Sequence, residues 1–473
     1  MEPQRHLTRT KINGDSYMHQ SMIIMAIVVT YIALTTFVGT LSAKYTTDTS
    51  SFMSAKNMMG PFVVGILLMS EFVATGSTLG TAESAYSHGL AASWNVISLG
   101  IAFVLYGFLL APKFQKTGEY TISGALAQAY GQRTRTVVSL IMVYALVVVN
   151  VAAFTGGGVI FAAILGISVQ AGVSIIGVAS IVNVTLGGIR GVGVSNLIHM
   201  FFKFVSLFVL AGFAYATLRH DPLALARIPD SLYSLHGIAP NTLLSWTVSN
   251  IGAIFATQYV IQCISSLGSA AQARRASFIA ATFFIPAGLL AAFIGIAARG
   301  IFPGIPAVQA LPAFFAVMPP WLAGVGVMGI VAVTFVTILA CQVGTTALIM
   351  SDFVIPLTQP REERKLAATR AVSIAVGLLP IPFALFVPGL LHTIFFARAL
   401  RSSIAVVAVF MFYLPACRND RTASAGLICS VVATSIWFAL GDPWFDDIYI
   451  AILVPASFLL GGKLLGRRSA RTV

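Results

Sequence analysis

The stretch SEFVATGSTLGTAESAYSHG, Ser70 to Gly89, puts a carboxylate, Glu71, and a run of small polar residues inside an apolar segment of a chain that is only 9% charged. In water such a stretch reads as a loop. In hydrocarbon it reads as an interrupted helix, and irregular backbone at that depth is tolerated only where protein or a water-filled cavity surrounds it. The rest of the chain decides between the two settings. Its 473 residues are 58% hydrophobic, with a mean hydropathy of +0.90, far from the balance of a soluble domain. Apolar windows longer than the ~18–20 residues that cross a bilayer as helix recur along the whole length. The expected class is an all-α membrane protein with no separate soluble domain.

Reading apolar runs between Gly, Pro and charged residues gives thirteen helices, near residues 22–42, 61–80, 90–112, 135–162, 169–186, 193–217, 244–266, 275–298, 321–350, 371–388, 391–415, 424–440 and 447–463. The first of these is too long for a signal-peptide core and lacks a small-x-small cleavage site, so it is expected to be retained. Lys and Arg then set the orientation, because basic loops stay cytoplasmic. With the N-terminus outside and the C-terminus inside, 19 basic residues face the cytoplasm, six face outward and three (Lys203, Arg398 and Arg401) fall within spans. The net charge of +13 is thereby explained by inner loops near anionic lipid headgroups, without a nucleic-acid partner. Cys263, Cys341, Cys417 and Cys429 show no C-x-x-C spacing, so neither a zinc site nor a disulfide framework is implied.

Several motifs, in order along the spans, resemble one family, the sodium/solute symporters. GPFVVGILLMSEFVATGS in the second span is similar to that family's broken helix. EYTISGALAQAYGQRTR (Glu119 to Arg135), LGGIRGVGVSNLIH (Leu186 to His199) and TQYVIQCISSLGSAAQARRA (Thr257 to Ala276) resemble its loop and span signatures. IPAVQALPAFFAVMPP and TFVTILACQVGTTALIMSDF resemble its outer loop and ninth span. The resemblance implies a LeuT-like five-plus-five inverted repeat: a peripheral helix at 22–42, a first repeat at 61–217, a second at 244–415 and two peripheral helices at 424–463. It implies that the first helix of each repeat breaks, with Thr75, Gly76 and Ser77 in one and Ser249, Asn250, Ile251 and Gly252 in the other as the small polar residues a break requires. Close packing of helices is the other use of such residues.

The resemblance also implies a sodium site made by the backbone carbonyls of Ser70, Val73 and Thr334 and the hydroxyl of Thr337. Thr334 and Thr337 are i and i+3 and face one partner helix. The chain departs from the family pattern at three positions, carrying Ile338 where a second hydroxyl is usual, Asn196 where a carboxylate is usual and Cys263 where an arginine is usual. Two buried-depth charges appear instead, Glu71 and Lys203, and an ionisable group inside a membrane is a functional candidate. Glu71 is expected to face a hydrated cavity at the break, where it binds a cation, exchanges a proton or pairs with a cationic side chain. For Lys203 the readings are snorkelling, pairing with Glu71, or an ammonium in the place of sodium that exchanges a proton.

Further candidates around the solute are Thr75, Gly76, Asn250, Gln258, Gln262 and Asn196. HTIFFARALRSS in the eleventh span adds Arg398 and Arg401, i and i+3, and arginine holds carboxylates in bidentate geometry. His199, His392, Tyr86, Trp94 and Trp246 read as packing or interface residues. The function these features imply is secondary active import of a small solute, an organic acid or similar polar metabolite, by sodium symport across a bacterial cytoplasmic membrane. Sodium is then the coupling ion, no other cofactor is required, and the chain acts as a monomer. Proton coupling through Lys203 and Glu71 is the alternative within that class. A channel is the alternative outside it, but no repeated pore loop is visible. H-E-x-x-H and G-x-S-x-G motifs are absent from the sequence, which argues against a membrane enzyme.

Overall fold

The computed structural model describes residues 14–41, 60–385 and 390–469, and all regular structure among them is helical. Lys44, Lys56 and Arg471, counted above as cytoplasmic, lie outside the described residues. The helices are α1 (Gly14–Leu41), α2 (Pro61–Phe72), α3 (Thr75–His88), α4 (Trp94–Leu109), α5 (Ala111–Thr117), α6 (Ile122–Ala127) and α7 (Gln132–Leu165). Then follow α8 (Val169–Gly188) and α9 (Gly191–His220). The second half holds α10 (Pro240–Ala256), α11 (Gln258–Ser265), α12 (Ala270–Thr282), α13 (Phe284–Ile301), α14 (Pro320–Ile349), α15 (Glu362–Leu378), α16 (Leu390–Tyr413), α17 (Asp420–Ala439) and α18 (Ile448–Ser469).

Among the described residues, ten helical stretches are long and apolar enough to cross a membrane, and Pro61–Phe72 and Ile448–Leu464 are shorter apolar helices. This differs from the expected thirteen for a physical reason. The spans at 61–80 and 244–266 are each interrupted, which leaves pieces of 12, 17 and 8 residues in α2, α10 and α11. In addition, a 3-10 turn at Gly89–Ser93 carries α3 into α4 without a loop.

The two halves of the chain interleave. α14 packs along α9 and α7, α13 along α3, α12 along α2 and α4, and α10 along α4 and α16. α14 is the central post, buried without interruption from Gly326 to Leu348. α1 lies against α9 and α14, held in part by a hydrogen bond between the Tyr31 hydroxyl and His199 Nδ1, while α17 and α18 pair with each other outside the core.

Glycine sets two of these approaches. α8 and α9 join at Gly188, whose φ of +56° is a conformation that glycine adopts without strain. Gly329 of α14 lies against Ser206 of α9, and a Cβ there would stand 1.9 Å from the Ser206 Cβ. Ser206 Oγ, in turn, donates to Gly326 O at 2.8 Å, so the two helices are pinned across one turn.

Near residue 350 the α14 helix widens into a π-turn, Met350–Val354, which aims Asp352 at α7. Arg135 Nη2 meets Asp352 Oδ1 at 2.8 Å, and the hydroxyls of Ser123 and Ser139 donate to its other oxygen. Asp352 thereby ties α6, α7 and α14 together.

Gly329→Ala is expected to lower stability in detergent by about 1–3 kcal/mol through overpacking. Gly212→Ala, in the same type of helix but with no atom within 4 Å of the added methyl, is the matched control. Equal melting temperatures for the two variants would contradict the close α9–α14 approach.

Candidate transport site

The site is organised by the gap between α2 and α3. α2 ends because Val73 (ψ +66°) and Ala74 (ψ −172°) leave the helical region, and α3 restarts at Thr75. The break therefore lies just before Thr75, Gly76 and Ser77, which form the first turn of α3 rather than the gap itself. A helix that stops leaves its last carbonyls without intrahelical partners. Here side chains satisfy three of them. The Ser77 hydroxyl donates to Phe72 O, and Lys203 Nζ, from α9, donates to Ser70 O at 2.7 Å and to Val73 O at 3.0 Å. Lys203 is wholly buried, although Phe201 beside it is 60% exposed. The lysine neither snorkels nor pairs with Glu71, since the ion pairs among the described residues are Arg135–Asp352, Lys365–Glu362 and His392–Asp442.

Next to the gap lies a part-open cavity with about 460 Å³ of empty volume. Glu71, Thr75, Gly76, Thr337, Arg398 and Arg401 all line it. Arg398 and Arg401 come from α16 and are both buried, at 4% exposure. Arg398 Nη1 donates to Asn95 Oδ1 at 3.2 Å, and its guanidinium lies 4.7 Å from the Phe395 ring centroid. Arg401 Nη1 donates to Thr257 Oγ1 at 2.8 Å and its Nε to Ala397 O at 3.1 Å. Among the described residues no carboxylate lies within ion-pair distance of either guanidinium, and Glu71 Oε2 is buried without a hydrogen-bond partner. Two guanidiniums and one carboxylate thus stand on the walls of a low-dielectric cavity, where an excess of unscreened charge of one sign is costly.

The second break falls at Thr257, where ψ is +126°, between α10 and α11. Ser249, Asn250, Ile251 and Gly252, expected to form it, are helical instead. Gly252 serves close packing: a Cβ there would stand 2.9 Å from the Ser402 Cα of α16. Asn250 Nδ2 bonds Asn95 O and Ser98 Oγ at 3.0 and 2.7 Å, away from the cavity lining. Gln258 takes Ile122 N and Tyr120 O at 3.0 and 2.9 Å, which fixes the start of α6. Asn196 Nδ2 reaches the Tyr259 hydroxyl at 3.4 Å, and Gln262 is buried behind the same face; neither lines the cavity. The Thr337 hydroxyl, expected as a sodium ligand, donates back to Val333 O at 3.3 Å, and the hydroxyl of Thr334, whose carbonyl was the expected ligand, donates to Ile330 O at 3.1 Å.

One important residue carries no signal in the sequence. Asn95 of α4 donates to Gly76 O at 3.2 Å and to Thr81 Oγ1 at 3.0 Å while accepting from Arg398, so a single amide joins α3, α4 and α16. Thr257 does the same for α10 and α16.

The sequence profile of the sodium:solute symporter family matches residues 52–430. The chain belongs to this family. Its fold and family are those of transporters, not of enzymes. The high-affinity choline transporter 1 of Caenorhabditis elegans is 27% identical over 148 residues, covering 31% of this chain; the match spans about a quarter (26%) of that relative's length. In three dimensions the chain is similar to a sodium-coupled sialic acid symporter in a substrate-bound outward-open state, with a TM-score of 0.77, 17% identity and 93% and 97% of the two chains covered. It is also similar to MhsT in complex with L-phenylalanine, with a TM-score of 0.58, 17% identity and 86% and 98% covered. These likenesses establish the LeuT-like helical fold.

Asn95→Ala is expected to cost about 1–3 kcal/mol, since it removes the donor to Gly76 O and Thr81 Oγ1 and the acceptor of a buried guanidinium. Asn95→Asp loses the donors but keeps an acceptor for Arg398 and adds a charge that pairs with the guanidinium, so it should lose less. Thermal unfolding of the purified variants checks the order.

Proposed function

We propose that this chain imports a small carboxylate-bearing metabolite by alternating access, as a sodium-driven symporter of the cytoplasmic membrane of a bacterium. Family membership supports the class and the coupling ion. The observation that supports an anionic solute is the cavity wall, where Arg398 and Arg401 stand buried without carboxylate partners. Each is oriented by a neutral acceptor, Asn95 Oδ1 or Thr257 Oγ1, that holds the guanidinium without neutralising it. A planar fork held in this way is prepared to take a carboxylate through two parallel hydrogen bonds.

Alternating access requires parts that move as units around a fixed site. The break at Thr257, a single non-helical residue between α10 and α11, supplies a hinge, while the first break, the Asp352 cluster and the pinned α9–α14 pair supply rigid bodies. The distribution of basic residues supports an N-terminus outside and a C-terminus inside, so that the Ile394 end of the cavity faces outward. A single chain carries all the residues named for the site, which supports a monomer as the working unit.

Uptake of a panel of labelled metabolites into proteoliposomes, with sodium and proton gradients imposed separately, tests the reading. Carboxylates should accumulate, and Arg398→Lys should raise the half-saturating concentration roughly tenfold, equivalent to about 1.4 kcal/mol. Uptake confined to cations or polyols would refute the anion assignment. For the orientation, an Arg364→Cys variant in a Cys429→Ser background should react with impermeant thiol reagents only from the cytoplasmic side.

A further inference from the structure

The resemblance to sodium/solute symporters assigns the coupling sodium to four oxygens, the carbonyls of Ser70, Val73 and Thr334 and the Thr337 hydroxyl. In this chain two of the four are already taken by a cation. Lys203 Nζ is 2.7 Å from Ser70 O and 3.0 Å from Val73 O, at ordinary hydrogen-bond distances for an ammonium. The fit to sodium therefore fails on this wall. A metal ion here would have to share lone pairs with an ammonium a few ångströms away, and two like charges that close in a low-dielectric interior repel by several kcal/mol or more.

We infer that the Lys203 ammonium is a tethered cation standing where sodium would bind between the end of α2 and α14, and that it frees this site from any sodium requirement. The chemistry matches the position. The carboxyl end of a half-helix carries partial negative charge and unsatisfied carbonyls, which suit an ammonium with three N–H donors as well as they suit a metal ion. The lysine is held there by its scaffold. Three residues on, Ser206 is bonded to Gly326 of α14, and Gly329 admits α9 to van der Waals contact, so the side chain leaves α9 at a fixed height relative to the break.

Two sequence features agree independently. Ile338 removes a hydroxyl ligand from α14, and Asn196 supplies a neutral amide where the family has a carboxylate, so the site loses one cation ligand and its surroundings lose one negative charge. Sodium that drives uptake must then bind at other oxygens. The inference depends on the family reading for the location of the site but not on the identity of the solute.

The test uses sodium itself as the probe. The full-length protein in detergent is unfolded thermally in sodium chloride and in equimolar potassium chloride, and the sodium-specific shift in melting temperature is compared among variants. Thr337→Ala, which removes a ligand of the assigned site, should leave the shift of the parent protein unchanged. Lys203→Ala, which vacates the carbonyls, should gain a sodium-specific rise of roughly 3 °C or more, and adding Thr337→Ala should abolish that gain. Lys203→Gln, which keeps a donor at the carbonyls without the charge, should gain nothing. A parent shift that Thr337→Ala diminishes would overturn the inference, and this arm needs no lysine variant. So would a folded Lys203→Ala protein with no added response to sodium. Because no solute is present, either failure is distinguishable from an error in the proposed substrate class.

Discussion

An α-helix that stops inside a membrane exposes backbone carbonyls that water cannot reach, and each one left unpaired costs several kcal/mol. The whole centre of this protein answers that constraint at Val73 and Ala74. Phe72 O is taken by the Ser77 hydroxyl from the next half-helix, which holds the two halves of the broken span together. Ser70 O and Val73 O are taken by Lys203 from α9. The break is therefore not a loose point but a junction of three helices. Its stability depends on the α9–α14 contact that sets the height of the lysine.

The second break is built differently, and the contrast is informative. At Thr257 the chain leaves α10 with a single residue, and its hydroxyl both donates to Ala253 O at 2.6 Å and accepts from Arg401. Gln258, the first residue of α11, then reaches across to the backbone of Tyr120 and Ile122, next to the Ser123 that donates to Asp352. Hydrogen bonds linked by adjacent residues of the backbone thus run from the cavity arginine through the second break to the cluster at the end of α14. A solute that reorients Arg401 acts on the Thr257 hydroxyl directly, so binding and rearrangement at this break share one bond.

Much of this was legible in the sequence because hydropathy and small-residue content are local. Long apolar runs marked the spans, and Ser-Glu in an apolar stretch followed by Thr-Gly-Ser marked the first break to within a few residues. The exact position was not legible, since the same small residues serve equally well as the first turn of a restarted helix. The second break was misplaced for a related reason. Gly252 is small because it packs on Ser402, while the true break at Thr257 is one threonine with no distinguishing composition. Asn95 was invisible because its partners lie far away in sequence, at Gly76 and Arg398. Lys203 stood out as a charge in an apolar span, yet a charge alone does not reveal whether its partner is a carboxylate or, as here, the end of a helix.

The distribution of fixed charge gives the remaining argument about what the site can bind. Lys203, Arg398 and Arg401 place three cationic groups in or beside a volume whose walls contain one carboxylate, Glu71. Lys203 is hydrogen-bonded to two carbonyls at the negative end of α2, and Glu71 attracts it through space without forming a direct ion pair. Glu71 is therefore one carboxylate among three cationic side chains, and neither guanidinium has a carboxylate within ion-pair distance among the described residues. An empty cavity in this condition retains water, because desolvating an unmatched charge is too unfavourable. On the proposed reading, a carboxylate would supply the missing charge and let the water leave, so that closure of the site would be favoured by an anion over a neutral or cationic solute of the same size. Selectivity and closure would then both follow from one charge imbalance, three cationic side chains against a single carboxylate, with the lysine anchored on the end of α2.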